Sequence, residues 1–171
     1  MLRAFLVGAL IVLALPGGGA SSARSSCLLA VAPVPGFWSE ATGQHTLAFV
    51  FTNRGLSTCT LIGPPHVEFR DARDRVPFVI QHGGDQMLTH RPAVRVRFAP
   101  GHHAYIAVNK YRCDKGDERT PIKVVVVPPG GGTPLSAPVR GSFFGWCGPG
   151  DPGSLVDVTP VEPSLRALSW P

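Results

Sequence analysis

The sequence lacks the motifs of the common redox and catalytic classes. It has no C-x-x-C pair, so neither a thioredoxin-like site nor a zinc knuckle has its spacing. It has no Gly-x-Ser-x-Gly elbow, and no pair of acids lies in an apolar stretch where burial would raise a pKa. The glycine runs at 17–19 and 130–132 lead into neither a helix nor a Gly-Lys-Ser/Thr motif, which argues against phosphate loops. We therefore expect no enzyme and assign no catalytic or cofactor residue; a cryptic hydrolase is only a second alternative.

Charge is sparse and is nowhere concentrated in one sign. Charged residues make up 16% of the chain and the net charge is +5. Arg95 and Arg97 alternate with apolar residues, as on the solvated face of a strand, and the segment 70–75 mixes arginine with aspartate. Without a basic stripe, we expect no nucleic-acid partner.

The sequence also lacks an apolar run long enough to cross a membrane at its N-terminus. Residues 4–15 (AFLVGALIVLAL) form an apolar run of about 12 residues, whereas a spanning helix needs roughly 20. Arg3 precedes this run and small residues follow it up to Ala23, which is typical of a cleaved signal peptide. We predict a signal peptide over residues 1–23, cleaved after Ala23 or Ala20, and hence secretion or retention in a periplasmic-type envelope compartment.

Cys27 raises the alternative of a lipoprotein, in which a lipidated cysteine is the first mature residue. Such motifs require an aliphatic residue three positions earlier, and Arg24 occupies that position. We therefore expect no lipid anchor, and Cys27 is free to pair with another thiol.

Four cysteines remain in the mature chain, at Cys27, Cys59, Cys113 and Cys147. An even number in an exported chain predicts two disulfides. Of the three connectivities, we favour Cys27 with Cys59 and Cys113 with Cys147. Each bond would close a loop of a little over thirty residues and contribute roughly 3 to 4 kcal/mol. The rival pairing of Cys59 with Cys113 would mimic an immunoglobulin inter-sheet bridge.

Beyond the N-terminal segment, apolar residues recur with a period of two between Gly and Pro turns, which predicts an all-β fold. We expect residues 76–81 to form a hairpin with the strand before the 70–75 turn, and residues 94–98 to form one with 103–111. Residues 122–127 are apolar on nearly both faces, which indicates a central strand. About eight or nine strands predict a β-sandwich of two antiparallel sheets with Greek-key connections over residues 24–162. A tail follows at 163–171, with docking of Leu165, Leu168 and Trp170 on the surface as the alternative.

Short motifs recur along the mature chain in a characteristic order. They are Cys27, the turn Thr52-Asn53-Arg54-Gly55, the run CTLIGPP from Cys59, Phe69-Arg70-Asp71, Phe98-Ala99-Pro100-Gly101 with Ala104, Cys113, Cys147 and the closing segment 155–160. In this order and spacing the chain resembles the secreted bacterial family known as domain of unknown function 4232. The resemblance implies an immunoglobulin-like β-sandwich with two disulfides, exported and often lipidated or attached to other envelope modules, and it implies no known activity. Arg24 departs from the lipoprotein members.

One group of residues suggests a copper site. His82, Met87 and His90 share a Gly-containing loop, and His102-His103 follow nearby in sequence. Thioether and imidazole ligands suit copper in an exported protein, although loop histidines are usually only solvated. An exported copper or small-ligand carrier is therefore the first alternative function.

The main expectation is a non-enzymatic binding or structural module at the cell envelope. Such a module would be a monomer that meets an envelope or extracellular protein or ligand through its loops and sheet edges. Trp38, in the predicted loop Pro35-Gly36-Phe37-Trp38, is the candidate exposed aromatic. Trp146 is expected to pack on the disulfide of its neighbour Cys147.

Overall fold

The structure of the chain is a computed structural model, which describes residues 27–83, 87–89, 91–140 and 143–169, without the side chains of 38–41. The predicted signal peptide lies outside these residues. The described chain is all-β and has ten strands: β1 (Leu29–Ala41), β2 (Gln44–Asn53), β3 (Cys59–Leu61), β4 (His66–Arg70), β5 (Val79–His82), β6 (Val96–Phe98), β7 (His103–Tyr111), β8 (Lys123–Val127), β9 (Leu135–Pro138) and β10 (Leu155–Val158). No helix in this part of the chain is long and apolar enough to cross a bilayer.

The strands form three hydrogen-bonded sheets, with the orders β1-β2-β7-β10-β5, β3-β6 and β4-β8-β9. β5 lies parallel to β10, and the other pairs are antiparallel. The expectation of two sheets, both antiparallel, is therefore wrong. Pro77 precedes β5 and has no N–H to extend a ladder with β4, so pairing there stops at the bridge between Arg70 and Arg75. The chain then leaves β4 and joins the far edge of the five-stranded sheet.

The expected hairpin between β6 and β7 is also not formed. β6 pairs with β3, whereas β7 pairs with β2 and β10. Asn53, which is 1% exposed, holds the point where the chain changes partner: its Nδ2 donates to the carbonyl oxygens of Ser57 and Phe98, and its Oδ1 accepts from the N–H of Gly55. The buried Asn53 amide thus links the end of β2 to β6 and to the segment before β3, and these contacts stand in place of the predicted hairpin between β6 and β7.

A single main core gathers side chains from all three sheets. β2 and β7 contribute alternate residues, as a period of two requires, and β8 contributes Val124 and Val126 from the centre of its sheet. The central position predicted for residues 122–127 is confirmed. The largest of the fully buried apolar side chains in this core are Phe49, Phe51, Phe69, Phe144 and Ile106.

A smaller core lies on the outer face of the five-stranded sheet. Ala48 of β2 and Ala107 of β7 are covered there by Leu88 and Leu168, both almost fully buried. Backbone bonds hold this cover in place, since the N–H of Thr89 donates to the carbonyl of Leu168. The segment 163–169 therefore packs on the sheet instead of extending into solvent.

Candidate functional site

An apolar groove opens where β1 separates from β2 at the edge of the five-stranded sheet. Pairing with β2 is interrupted between Pro33 and Trp38, which leaves Ala48 opposite a bulge in β1. Pro33 and Pro35 have no N–H to donate to the ladder, and Gly36 has a φ of +71°, a conformation that favours glycine. The bulge follows from this local sequence, and it opens a gap between the two strands.

The groove has a volume of about 580 Å³, within the range of roughly 300–1,000 Å³ typical of small-molecule sites. Arg140 is the single ionisable residue in its described lining, and this side chain is exposed. Arg140 forms no hydrogen bond or ion pair with the described residues. The lining consists of Pro33, Val34, Pro35, Gly36, Phe37, Leu47, Ala48, Phe49, Pro138, Val139, Arg140 and Phe143.

A second cavity, of about 620 Å³, lies beside Cys27 and the glycine run 130–132. Its described lining contains no ionisable side chain. The three glycines have φ values of +83°, +91° and +130°, so they shape a turn that other residues would strain. Without a charged group, this cavity has less to orient a ligand than the groove at β1.

The structure joins Cys27 to Cys59 and Cys113 to Cys147, with Cα–Cα distances of 5.5 and 5.1 Å. These are the two favoured pairs, and the rival pairing of Cys59 with Cys113 is not formed. Trp146 is partly buried and packs against the main core. Its packing on the disulfide of Cys147 stays a prediction.

Lys110 lies beneath the second disulfide. β7 turns alternate residues towards the core, and Lys110 continues this inward series after Ile106 and Val108. Its Nζ lies 3.6 Å from the Sγ of Cys147, and 6.0 Å from the centre of the Phe144 ring. Only 1% of the residue is exposed, and no described carboxylate lies within ion-pair distance.

Burial therefore lowers the pKa of Lys110 to about 8, although the charges of Asp117 and Asp151 oppose this shift.

Asp117 also contacts the disulfide directly, with its Oδ1 2.9 Å from the Sγ of Cys113. A disulfide sulfur carries no hydrogen, so this contact is not a hydrogen bond in the oxidised protein. The carboxyl group of Asp117 also lies over Gly145, and a Cβ atom on residue 145 would collide with it.

A second buried charge lies near the smaller core. Glu162 is 3% exposed, and its Oε1 has no hydrogen-bond partner among the described residues. Burial raises the pKa of this carboxyl, whereas the charge of Arg91 lowers it. The segment Val161-Glu162 follows β10 closely, and the backbone of Glu162 pairs with that of Tyr105 in β7. The sequence expectation concerned pairs of acids, so this one residue does not contradict it.

The residues proposed for copper are only partly described. His82 is exposed at the end of β5, Met87 is half-buried, and His90 lies outside the described residues. In the described ranges, the single group of three His, Cys, Asp or Glu side chains close enough to share a metal is Cys113, Asp117 and Cys147. Both cysteines of that group are oxidised, and the copper site stays a prediction. The side chain of Trp38 also lies outside the description, so its exposure is untested.

Sequence reasoning missed both the groove and Lys110. The groove depends on the pairing of β1, a strand that the period-two pattern did not predict because prolines interrupt it. Lys110 carried a usable signal: alternation from Ala104 through Val108 places it on the core face, where a lysine is rarely buried without a partner.

Residues 30–162 match the family model described as domain of unknown function (DUF4232). The match covers most of the chain, and the chain therefore belongs to this family. No curated protein and no solved structure matches the chain.

Proposed function

We propose that this DUF4232 protein is an exported, non-enzymatic binding module, and that the groove at β1 binds an amphiphile with an apolar body and one anionic group. The observation that carries the proposal is the position of Arg140, which lines an otherwise apolar groove and forms no hydrogen bond or ion pair among the described residues. The same site fits the small-ligand carrier named among the alternatives.

The two parts of the ligand would have different roles. Contact with the groove walls removes apolar surface from water, at about 25 cal/mol per Å², and supplies most of the affinity. Arg140 is exposed, so an ion pair with it adds only about 0.2 to 1 kcal/mol. Its main effect is to select the sign of the head group and to fix the ligand's direction in the groove.

The chemistry of the lining favours binding over catalysis. Its described residues include no Ser, Thr, Cys, His, Asp or Glu, hence no nucleophile and no general acid or base. We therefore propose a binding protein and not the hydrolase alternative. Two disulfides support export to an oxidising compartment, and we propose an immunoglobulin-like sandwich as the scaffold.

Dodecanoate, dodecanol and dodecylammonium, each below its micelle concentration, test this proposal. Titration of the purified protein with dodecanoate should shift the backbone amide signals of β1 near Phe37 and of β2 near Ala48 in nuclear magnetic resonance spectra. Dodecanol should bind up to about fivefold more weakly, which corresponds to a surface ion pair. Absence of shifts at these residues with millimolar dodecanoate would overturn the proposed site.

Two arginine variants separate a local effect from net charge. Arg140→Glu should weaken dodecanoate and strengthen dodecylammonium binding. Arg97→Glu, at an exposed position on β6 outside the groove lining, changes the net charge equally and should leave both affinities unchanged. Equal effects of the two variants would contradict a role for Arg140.

A further inference from the structure

The two sulfurs of the second disulfide differ in access. Cys113 is half-buried and is followed by an exposed loop over residues 114–118, whereas Cys147 is 6% exposed. An incoming thiol therefore reaches Cys113 Sγ first. In such an attack Cys147 Sγ is the leaving group.

Lys110 lies on the side of the leaving sulfur. Its ammonium is 3.6 Å from Cys147 Sγ and 3.8 Å from Cys113 Sγ, and it has no carboxylate in ion-pair contact among the described side chains. A thiolate formed at Cys147 would give this buried cation the partner that it lacks. An opposite charge at such a distance lowers a thiol pKa by about 1 to 3 units.

Asp117 acts on Cys113 Sγ and favours its protonated thiol, whereas Lys110 favours the thiolate of Cys147. Its Oδ1, 2.9 Å from Cys113 Sγ, has nothing to accept from an oxidised sulfur. After reduction it can accept a hydrogen bond from the thiol of Cys113 and keep that thiol protonated. After reduction, the surroundings therefore favour a protonated thiol at Cys113 and a thiolate at Cys147.

We infer that Cys113–Cys147 is a thiol–disulfide exchange site for a reducing dithiol, with Cys113 as the attacked sulfur and Cys147 as the leaving thiolate beside Lys110. A thiolate of the dithiol attacks Cys113 Sγ, the Cys113–Cys147 bond breaks, and Cys147 leaves with the electron pair. The second thiol of the dithiol then gives up its proton and attacks the mixed disulfide at the dithiol's own sulfur. Cys113 is released and takes up that proton. Two electrons pass to the protein, and the dithiol becomes a disulfide.

Two other carboxylates near the site, those of Asp151 and Glu118, would repel a thiolate at Cys147, but each contacts another part of the chain. Asp151 accepts from the backbone N–H groups of Asp114 and Gly153. The side chain of Glu118 lies over Gly148. The ammonium of Lys110 is therefore the charge in direct contact with Cys147 among these groups.

The test follows the reduction of each disulfide separately in the folded protein. Samples treated with dithiothreitol at pH 7 are quenched with N-ethylmaleimide, and peptide mass spectrometry assigns the reduced cysteines. Cys113–Cys147 should be reduced about tenfold faster than Cys27–Cys59, since a lower leaving-group pKa speeds exchange. Lys110→Met should slow the reduction of Cys113–Cys147 about tenfold and leave Cys27–Cys59 unchanged. Lys123→Met, which removes an exposed lysine on β8, should change neither rate.

Two further measurements do not depend on the fold of a variant. Glutathione, a monothiol, should be trapped on Cys113 and not on Cys147. In the reduced wild-type protein, the alkylation rate of Cys147 should titrate below the ordinary thiol pKa of about 8.5. Equal reduction rates for the two disulfides, glutathione on Cys147, or an ordinary pKa at Cys147 would each overturn the inference.

Discussion

The two disulfides close loops of nearly equal length but lie in different electrostatic surroundings. The cysteines of the pairs are 32 and 34 residues apart, and in each pair one is half-buried and the other buried. Lys110 and Asp117 contact the sulfurs of the second bond, whereas no ionisable side chain in the described ranges contacts those of the first. Loop closure depends on sequence separation, and reactivity depends on neighbouring charge. Comparing the two bonds therefore distinguishes the effect of loop closure on stability from the effect of neighbouring charge on reactivity.

The largest expected effect is on stability, and it should be similar at both bonds. Replacing both cysteines of either pair by alanine should lower the free energy of unfolding by about 4 kcal/mol, because loops of these lengths release similar entropy. Urea denaturation of the Cys27→Ala/Cys59→Ala and Cys113→Ala/Cys147→Ala proteins measures both losses. A difference above about 2 kcal/mol would show that native contacts, and not loop closure, dominate at one of the bonds.

A smaller effect should distinguish the second bond through the pH dependence of stability. The pKa of Lys110 falls from 10.5 to about 8 on folding. Below pH 8 both states are protonated and the cost of burying the charge is fully present. Between pH 8 and 10.5 the unfolded state binds more protons, so stability rises with pH. Lys110→Met should abolish this rise.

The same variant should gain about 2 kcal/mol at pH 7. At 1.36 kcal/mol per pKa unit the full shift would give about 3 kcal/mol, and the exposed loop beside the lysine screens part of it. Urea denaturation at pH 7 and pH 9.5 measures both effects, and Lys123→Met is the control. A Lys110→Met protein that is less stable than the wild type at pH 7 would mean that packing of the lysine stem outweighs its charge.

The smallest effect concerns the second buried charge, which lies away from either disulfide. The pKa of Glu162 is raised by burial, so its cost is fully present above the folded pKa and is relieved as the pH falls through that value. Glu162→Gln should raise stability at pH 7 by less than Lys110→Met. Thermal unfolding measures the gain, and dithiol reduction should be unchanged at both bonds. A change in the reduction of Cys113–Cys147 would show that buried charge acts on this bond from a distance, which would weaken the specific role of Lys110.

Much of the fold was predictable because strand patterns and cysteine spacing are local properties. The all-β class, the central β8 and the family all followed from short segments of sequence. The partners of β5 and β6 did not, because a period of two predicts which face a residue lies on and not which strand lies beside it. The strand β1 was missed for a related reason: Pro33, Pro35 and Gly36 are read as a loop unless a neighbour pairs with the residues on either side.

The sequence alone determined the alternation that places Lys110 inside and the prolines that force β1 away from β2. The tertiary structure decided which groups lie beside these features: the Cys113–Cys147 disulfide beside Lys110, and Arg140 beside the bulge in β1. Side-chain direction follows from the dihedral angles of neighbouring residues, which the local sequence controls. The approach of segments more than thirty residues apart depends on how all three sheets share one core, and no local pattern contains that information.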